Sequence, residues 1–556
     1  AKLSYFHKPG KNPLVPWTIG EVVDKTADVK GDNTAVVSCH QKITKTFTQL
    51  RDDVNQFAAS LVSFKLPVGS KIGMLAPNLY EWAVVQFAAA KAGLVLVNVN
   101  TAYQEPELEF CLNHVKCAAV IIAGKFSRQD YYEMLLHITP ELERDLPGEL
   151  RSTRVISLHH RNVLYDRLVL GTVTFDDLME SATAEDHAAM NAICSRLQFD
   201  DAVSIQFTSG STGRPKAAQL SHFNVVNNAN MIGRGFGLHK QDESICLNVP
   251  MMHCYGTVVG TLTAAIFGST TVMPAPSFNA EAALECITKH RCTFIFGTPT
   301  MYVDMLAQLE QGQYDVSSVR KDAMGSDHLP IKVELTAEKP LSDKRQAPFI
   351  KWDDFRKAFG DLAPEHGLGI RIAEAVRIAT KVFSVKIVNG QGNVVPLRER
   401  GELCVRGYLV FKGYYREEGK TSEVIRNNWY HTGDEATMSE DGRIMIWGRI
   451  KDMIIRGGEN VCPKEIEDFL YTHPDVLEVQ VVGVPDERLG EEACAWIRLK
   501  SGKMLSQEDI RNFCKGKISH FKIPRYVLFV DSFPKTEIGK IQKTEMLKES
   551  KKILSL

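Results

Sequence analysis

Thr208-Ser209-Gly210-Ser211-Thr212-Gly213-Arg214-Pro215-Lys216 follows directly on Val203, Ile205 and Phe207, whose alternation with polar residues reads as a β-strand. The run is built for contact with phosphate. Its small residues let backbone N–H groups come close to phosphate oxygens, Thr208, Ser209, Ser211 and Thr212 add hydroxyl donors, and Lys216 adds a positive charge. It is not a Walker A loop, because the Gly-Lys-Ser/Thr ending and the direct entry into a helix are both missing, and Pro215 stands where that entry would begin. Ser221-His-Phe-Asn, a few residues on, reads as the start of a helix. A solvent-exposed Ser/Gly linker is the bland alternative; the strand before the loop and the Pro-Lys ending argue against it.

Upstream of the loop, strand-like and helical patterns alternate. Phe47, Leu50, Val54, Phe57, Ala58 and Leu61 fall on one helical face, Lys71-Ile-Gly-Met-Leu-Ala-Pro reads as a strand, and a helix follows from about Glu81 to Lys91. Residues 94–97 and 118–123 read as buried strands. Strands separated by helices predict an α/β fold, here a large N-terminal domain of layered, largely parallel sheets. A Gly/Pro-punctuated stretch from about 382 to 447 reads as a smaller β unit. After Trp447-Gly-Arg449 the rhythm changes. Pro463 opens a helix with Ile466, Phe469 and Leu470 inward, residues 476–484 and 492–499 read as strands, and Ser506 caps a helix with Asp509 three residues on. This predicts an N-terminal domain over 1–447 and a small, mobile α+β C-terminal domain over 448–556.

Bulk properties narrow the partners. The 556 residues are too many for one ordinary core, and 44% apolar with 24% charged is a globular composition. With 66 Lys plus Arg against 67 Asp plus Glu, the chain has no overall basic field to hold nucleic acid or an anionic membrane, so a polyanion must be gripped locally. Twelve cysteines never form C-x-x-C, which argues against a zinc ribbon or a disulfide framework. No apolar run reaches the roughly 18 residues of a membrane span. No targeting segment is visible.

The loop, together with three later stretches, carries a family resemblance. Tyr430-His-Thr-Gly-Asp434, Gly448-Arg-Ile-Lys-Asp-Met-Ile-Ile-Arg-Gly-Gly-Glu-Asn460 and Pro534-Lys-Thr-Glu-Ile-Gly-Lys540 stand in the order found in the adenylate-forming superfamily of acyl-CoA synthetases, luciferases and peptide-synthetase adenylation domains. Within it, Gly297-Thr-Pro-Thr-Met-Tyr302 and Lys515-Gly-Lys-Ile-Ser-His-Phe-Lys-Ile-Pro524 make the chain most similar to the mitochondrial medium-chain acyl-CoA synthetases, family member two. The resemblance implies a ligase that uses ATP, Mg2+ and CoA to turn a fatty acid into an acyl-adenylate and then a thioester. It places ATP on the 208–216 loop, the ribose on Asp434, Arg449 at ribose or phosphate, and Lys540 between the reacting carboxylate and the α-phosphate. It also places the hinge at Lys451, the acyl pocket beside His253 in Pro250-Met-Met-His-Cys-Tyr-Gly256, and the CoA tunnel at Gly457 and Gly458. It assigns no metal-binding side chain here, and it implies a mitochondrial location. Small-molecule substrates are the expected partners.

The chemistry explains why such groups are needed. Attack of a carboxylate on the α-phosphate brings two anions together, so cations and oriented N–H donors must sit where charge accumulates; removing one such donor costs about 3–4 kcal/mol. Cys254 is a poor candidate nucleophile, since no motif places a base beside it. A buried structural role remains the alternative for His253.

Between about 321 and 380 the resemblance breaks. The family's Tyr-Gly-x-Thr-Glu motif, which stacks on adenine and helps hold magnesium, stands nowhere between Met301 and Tyr430. Met324-Gly-Ser-Asp-His-Leu-Pro-Ile331 and Phe349-Ile-Lys-Trp-Asp-Asp-Phe-Arg356 resemble the tail of a retroelement endonuclease instead. Asp327 and His328 do not make a nuclease without the rest of that domain. The segment is expected to be the worst packed part of the chain, and adenylation is expected to be impaired. A non-enzymatic relative that binds nucleotide or acyl ligand is the alternative reading; a luciferase-like oxygenase and a carrier-loading domain are more remote ones.

Overall fold

A computed structural model describes residues 2–7, 12–144, 152, 154–155, 158, 162–164, 171–208, 215–309, 312–319, 321–326, 329–333, 384–440, 442–449, 453–534 and 541–556. Helices and sheets form where the hydrophobic periodicity put them. The six-residue apolar face starting at Phe47 is buried throughout, on helix Phe47–Val62, which Thr46 and Gln49 close with a capping box. Helix Tyr80–Lys91 is sealed on nearly all sides, with Trp82 fully buried, because it runs between layers.

Two sheets form the large layered body. The first has eight strands in the order Thr172–Thr174, Asn162–Leu164, Cys117–Ile122, Lys71–Leu75, Val95–Asn98, Ala202–Thr208, Lys216–Ser221 and Gly413–Tyr414. Its first six strands are parallel, and the last two add on antiparallel. The second has seven strands, with Phe294–Gly297, Ser244–Leu247, Thr270–Met273 and Thr34–Ser38 parallel at its centre. Helices such as Phe47–Val62 and Tyr80–Lys91 cover these sheets, as parallel sheets require.

The β unit is a six-stranded antiparallel sheet built on Ser384–Val388, Gly401–Arg406 and Trp429–Met438; the N-terminal strand Tyr5–His7 joins its edge. Strand Ile444–Arg449 also belongs to it, so the sheet carries on to Arg449, past the expected boundary at 447. The C-terminal domain has its own core around Ile454, Ile466, Val479 and Ile497, on a five-stranded sheet with Val476–Asp486 paired to Gly490–Leu499. Ser506 and Asp509 make the expected capping box. Phe469, expected inward, is only half-buried.

Most of the segment set apart at 321–380 lies outside the described residues, and so does its expected poor packing. Its first residues do form strand Lys321–Ser326, parallel to Phe294–Gly297, and a hairpin partner, Leu329–Val333. The break in resemblance therefore does not break the sheet at that point. Asp327 and His328 lie outside the described residues. No helix among the described residues is long and apolar enough to cross a membrane.

One buried histidine makes this body acid-sensitive. His222, 2% exposed, accepts the Ile19 N–H through Nδ1 at 3.0 Å, and burial pushes its pKa down to about 4. An unfolded histidine titrates near 6.5, so between those values the unfolded chain binds a proton that the folded chain refuses. Stability is therefore full above pH 6.5 and falls as the pH drops toward 4, by about 2 kcal/mol between pH 7 and pH 5 from this group alone. His222→Gln keeps an acceptor for Ile19 and cannot titrate. Urea titrations at both pH values are expected to show a smaller pH 7 to pH 5 loss in the variant; an equal loss would contradict this assignment.

Candidate active site

The phosphate loop connects a hairpin whose first strand is the last of the parallel set. Thr208 and Lys216 face each other across strands Ala202–Thr208 and Lys216–Ser221, so the connecting residues leave from the carboxyl end of a parallel strand. Crevices at such ends are where open α/β sheets bind ligands. Ser209, Gly210, Ser211, Thr212, Gly213 and Arg214 lie outside the described residues, but the posts on either side are fixed. Pro215 and Lys216 are buried, and the Lys216 ammonium stands 4.9 Å from the centre of the Tyr414 ring.

From Tyr414 a line of rings leads to the next motif. Phe411 sits 5.0 Å from Tyr414 and 5.5 Å, edge-on, from Tyr430. Tyr430 begins the Tyr-His-Thr-Gly-Asp run on strand Trp429–Met438, in which Asp434 is the register partner of Arg449 on strand Ile444–Arg449. The two residues assigned to the ribose edge of the nucleotide are thus cross-strand neighbours. Sequence places them 15 apart; antiparallel pairing brings them together. The Arg449 side chain, Lys451 and Lys540 lie outside the described residues.

Glu402 braces the turn that presents Asp434. Its Oε2 accepts from His431 Nδ1 at 2.7 Å and its Oε1 from the Gly433 N–H at 3.1 Å, while the Asp434 N–H donates to Thr432 Oγ1 at 3.1 Å. Gly433 has φ +75°, a left-handed value that a side chain would strain. Glu402, Cys404 and His431 are also the one trio of potential metal ligands among the described residues. Burial, with the Glu402 charge second, pushes the Cys404 thiol up to about 12, so it stays protonated. One carboxylate, one thiol and one imidazole do not suit Mg2+, which takes oxygen ligands.

His253 lies at the other wall. Its Nδ1 accepts the Tyr255 N–H at 3.1 Å, which leaves the neutral ring's proton on Nε2. Cys254 Sγ is 3.8 Å from the same Nδ1, whose lone pair is already engaged, so His253 is no base for that thiol. The helix that follows, Tyr255–Leu262, is π-helical, a form concentrated at functional sites. Gly256 makes that start possible: a Cβ there would meet the Pro250 carbonyl oxygen at 2.2 Å.

The C-terminal domain supplies the hairpin of strands Ile454–Arg456 and Glu459–Val461. Gly457 and Gly458, with φ of +57° and +96°, form its two-residue turn, the geometry for which glycine pairs are selected. Burial raises the Glu459 pKa, and its hydrogen bond with the Asn100 side chain opposes that rise. Glu459, next to the Gly457–Gly458 turn, thereby ties the C-terminal domain to Asn100 of the large domain.

A family model described as AMP-binding enzyme matches residues 23–345, and one described as AMP-binding enzyme C-terminal domain matches residues 465–540. The chain belongs to the AMP-binding enzyme family. Medium-chain acyl-CoA ligase ACSF2, mitochondrial, of Danio rerio is 41% identical over 562 residues, spanning 100% of this chain and 91% of that protein. The Homo sapiens protein of the same name is 41% identical with the same coverage. Putative acyl-CoA synthetase YngI of Bacillus subtilis is 38% identical over 98% of this chain and 99% of its own. This AMP-binding enzyme is accordingly an acyl-CoA ligase of the acid–thiol class. The amide bond synthetase McbA of Marinactinospora thermotolerans shares its fold, with a TM-score of 0.73 at 21% identity over 96% of this chain and 99% of that one. The family match runs through residue 345, so the segment set apart from 321 begins inside it.

Sequence reasoning missed Tyr414, Glu402 and Asn100. Glu402 lies in the 382–447 stretch that read as a smaller β unit, without a signal of its own. Tyr414 and Asn100 had none, because only tertiary pairing sets them against Lys216 and Glu459.

Proposed function

We propose that this AMP-binding enzyme is a mitochondrial ligase for medium-chain fatty acids. The acid's carboxylate attacks the α-phosphate of ATP, expelling pyrophosphate and leaving an acyl-adenylate; the CoA thiol then attacks the acyl carbon, releasing AMP and forming the thioester. The observation that carries this reading is the continuous path from Lys216 through Tyr414, Phe411 and Tyr430 to the Asp434–Arg449 pair. It spans what one nucleotide needs, phosphate cations at one end and a ribose-binding carboxylate at the other.

In this scheme residues 208–216 hold the departing phosphates. Lys540 bridges the two reacting anions, and the C-terminal domain turns about Lys451 to exchange Lys540 for the Gly457–Gly458 turn, beside which CoA enters. His253 borders the acyl group. Mg2+, when bound with ATP, would screen the phosphate charge. Medium chain length and the mitochondrion are supported by the ACSF2 relatives; the Bacillus subtilis relative shows that the architecture does not require that compartment.

The missing Tyr-Gly-x-Thr-Glu motif favours a slow first half-reaction. With octanoate, ATP and hydroxylamine, the chain is expected to form octanoyl hydroxamate above a control lacking ATP. It should do so more slowly than a chimera carrying the Danio rerio relative's segment in place of 321–383. If neither protein forms hydroxamate, the ligase reading falls; if only the chimera does, the chain is a binding relative instead.

A further inference from the structure

The surface on which the C-terminal domain rests is short and specific. Glu107, the third residue of helix Glu105–Val115, closes a capping box with the Gln104 N–H at 2.9 Å. The same carboxylate accepts Ser519 Oγ at 2.7 Å and Lys522 Nζ at 2.7 Å, both from the C-terminal domain. Lys522 also bonds Glu465 of its own domain at 2.5 Å and stands 5.5 Å from the Tyr103 ring centre. Side-chain exposure in this trio is 4% for Lys522, 10% for Glu107 and 12% for Glu465. Around it, Ala102 packs into the C-terminal domain's core and Asn100 holds Glu459.

We infer that Glu107 is a positioning residue that locks the C-terminal domain in the orientation seating Ser519 and Lys522 on helix Glu105–Val115. The kinetic half of this inference rests on the ligase reading above; the structural half does not. The two carboxylates on Lys522 differ in kind. Glu465 travels with Lys522 in any domain orientation, whereas Glu107 meets Lys522 only in this one. Glu465 is also poorly served here: burial and the Glu107 charge raise its pKa against the pull of Lys522, and its Oε2 is buried without a partner. Removing the Glu465 charge should therefore leave docking intact, while removing the Glu107 charge should release it. Asp304 and Arg488 make a second ion pair between the domains at 2.9 Å, but it is far more exposed and screened by solvent. The buried Glu107–Lys522 contact therefore carries most of the ionic docking of a domain that must leave and return.

The experiment compares Glu107→Gln with Glu465→Gln in the full chain. Glutamine at position 107 can still cap its helix, so the fold should persist, with unchanged amide protection along Glu105–Val115 as the internal check. Hydrogen exchange of residues 100–103 and of 454–461 reads docking without any need for activity. Glu107→Gln is expected to raise exchange at both places at least tenfold, and Glu465→Gln to leave it at the wild-type level. Thioester formation from purified octanoyl-adenylate and CoA should slow at least tenfold in Glu107→Gln alone. Wild-type exchange in Glu107→Gln, or equal loosening in both variants, would overturn the inference. Loosening by Glu107→Gln in a chain without ligase activity would uphold the lock and refute only the chemistry it was thought to serve.

Discussion

Lys540→Ala is expected to slow acyl-adenylate formation by a hundred- to a thousandfold, about 3–4 kcal/mol of transition-state stabilisation. Two anions meet at the α-phosphate, and a lysine reaching between them supplies charge at the moment repulsion peaks. Its effect should be confined to that step. Thioester formation from preformed acyl-adenylate needs a thiol and an open path, not that ammonium, and should change less than threefold. Pyrophosphate exchange reads the first step and single-turnover thioester formation reads the second. Equal losses in both would show that Lys540 does not alternate with the Gly457–Gly458 turn.

Asp434→Asn is expected to act on nucleotide affinity. A carboxylate that accepts from both ribose hydroxyls makes two charge-assisted bonds, each worth about 1.5–3 kcal/mol; the amide keeps weaker versions. A tenfold to hundredfold rise in KM for ATP follows, with a smaller fall in kcat. The fold should survive, because Glu402, His431, Thr432 and Leu403 hold the turn without using the Asp434 side chain. ATP titrations of hydroxamate formation measure both constants. A kcat loss at unchanged KM would place Asp434 at the reacting centre instead.

These two residues also show what a sequence conveys. Asp434, Arg449 and residues 208–216 were assigned from local runs that resemble those of the family; the structure adds that Asp434 and Arg449 are register partners. Helix Phe47–Val62 was legible because burial of one face imposes a 3.6-residue period. The domain boundary was placed short of Arg449, since a strand crossing from Gly448 onward looks, in sequence, like the turn that follows it. The Tyr414–Lys216 contact and the Glu107–Lys522 bridge were not legible at all. Lys522 and Glu107 are 415 positions apart, and nothing local to either distinguishes it from a solvated surface charge. Lys321–Ser326 is a different case: a family break in sequence still supplied a strand to the sheet, because pairing with Phe294–Gly297 needs backbone groups more than particular side chains.

The proposed function requires the Lys216 hairpin and the Asp434–Arg449 strands to grip a single nucleotide. A crystal structure of the chain with a bound non-hydrolysable ATP analogue provides the test. The ribose hydroxyls are expected within hydrogen-bond distance of the Asp434 carboxylate, and the β- and γ-phosphates against residues 208–216. Density for the adenosine elsewhere, or a ribose facing away from Asp434 with the loop empty, would contradict it.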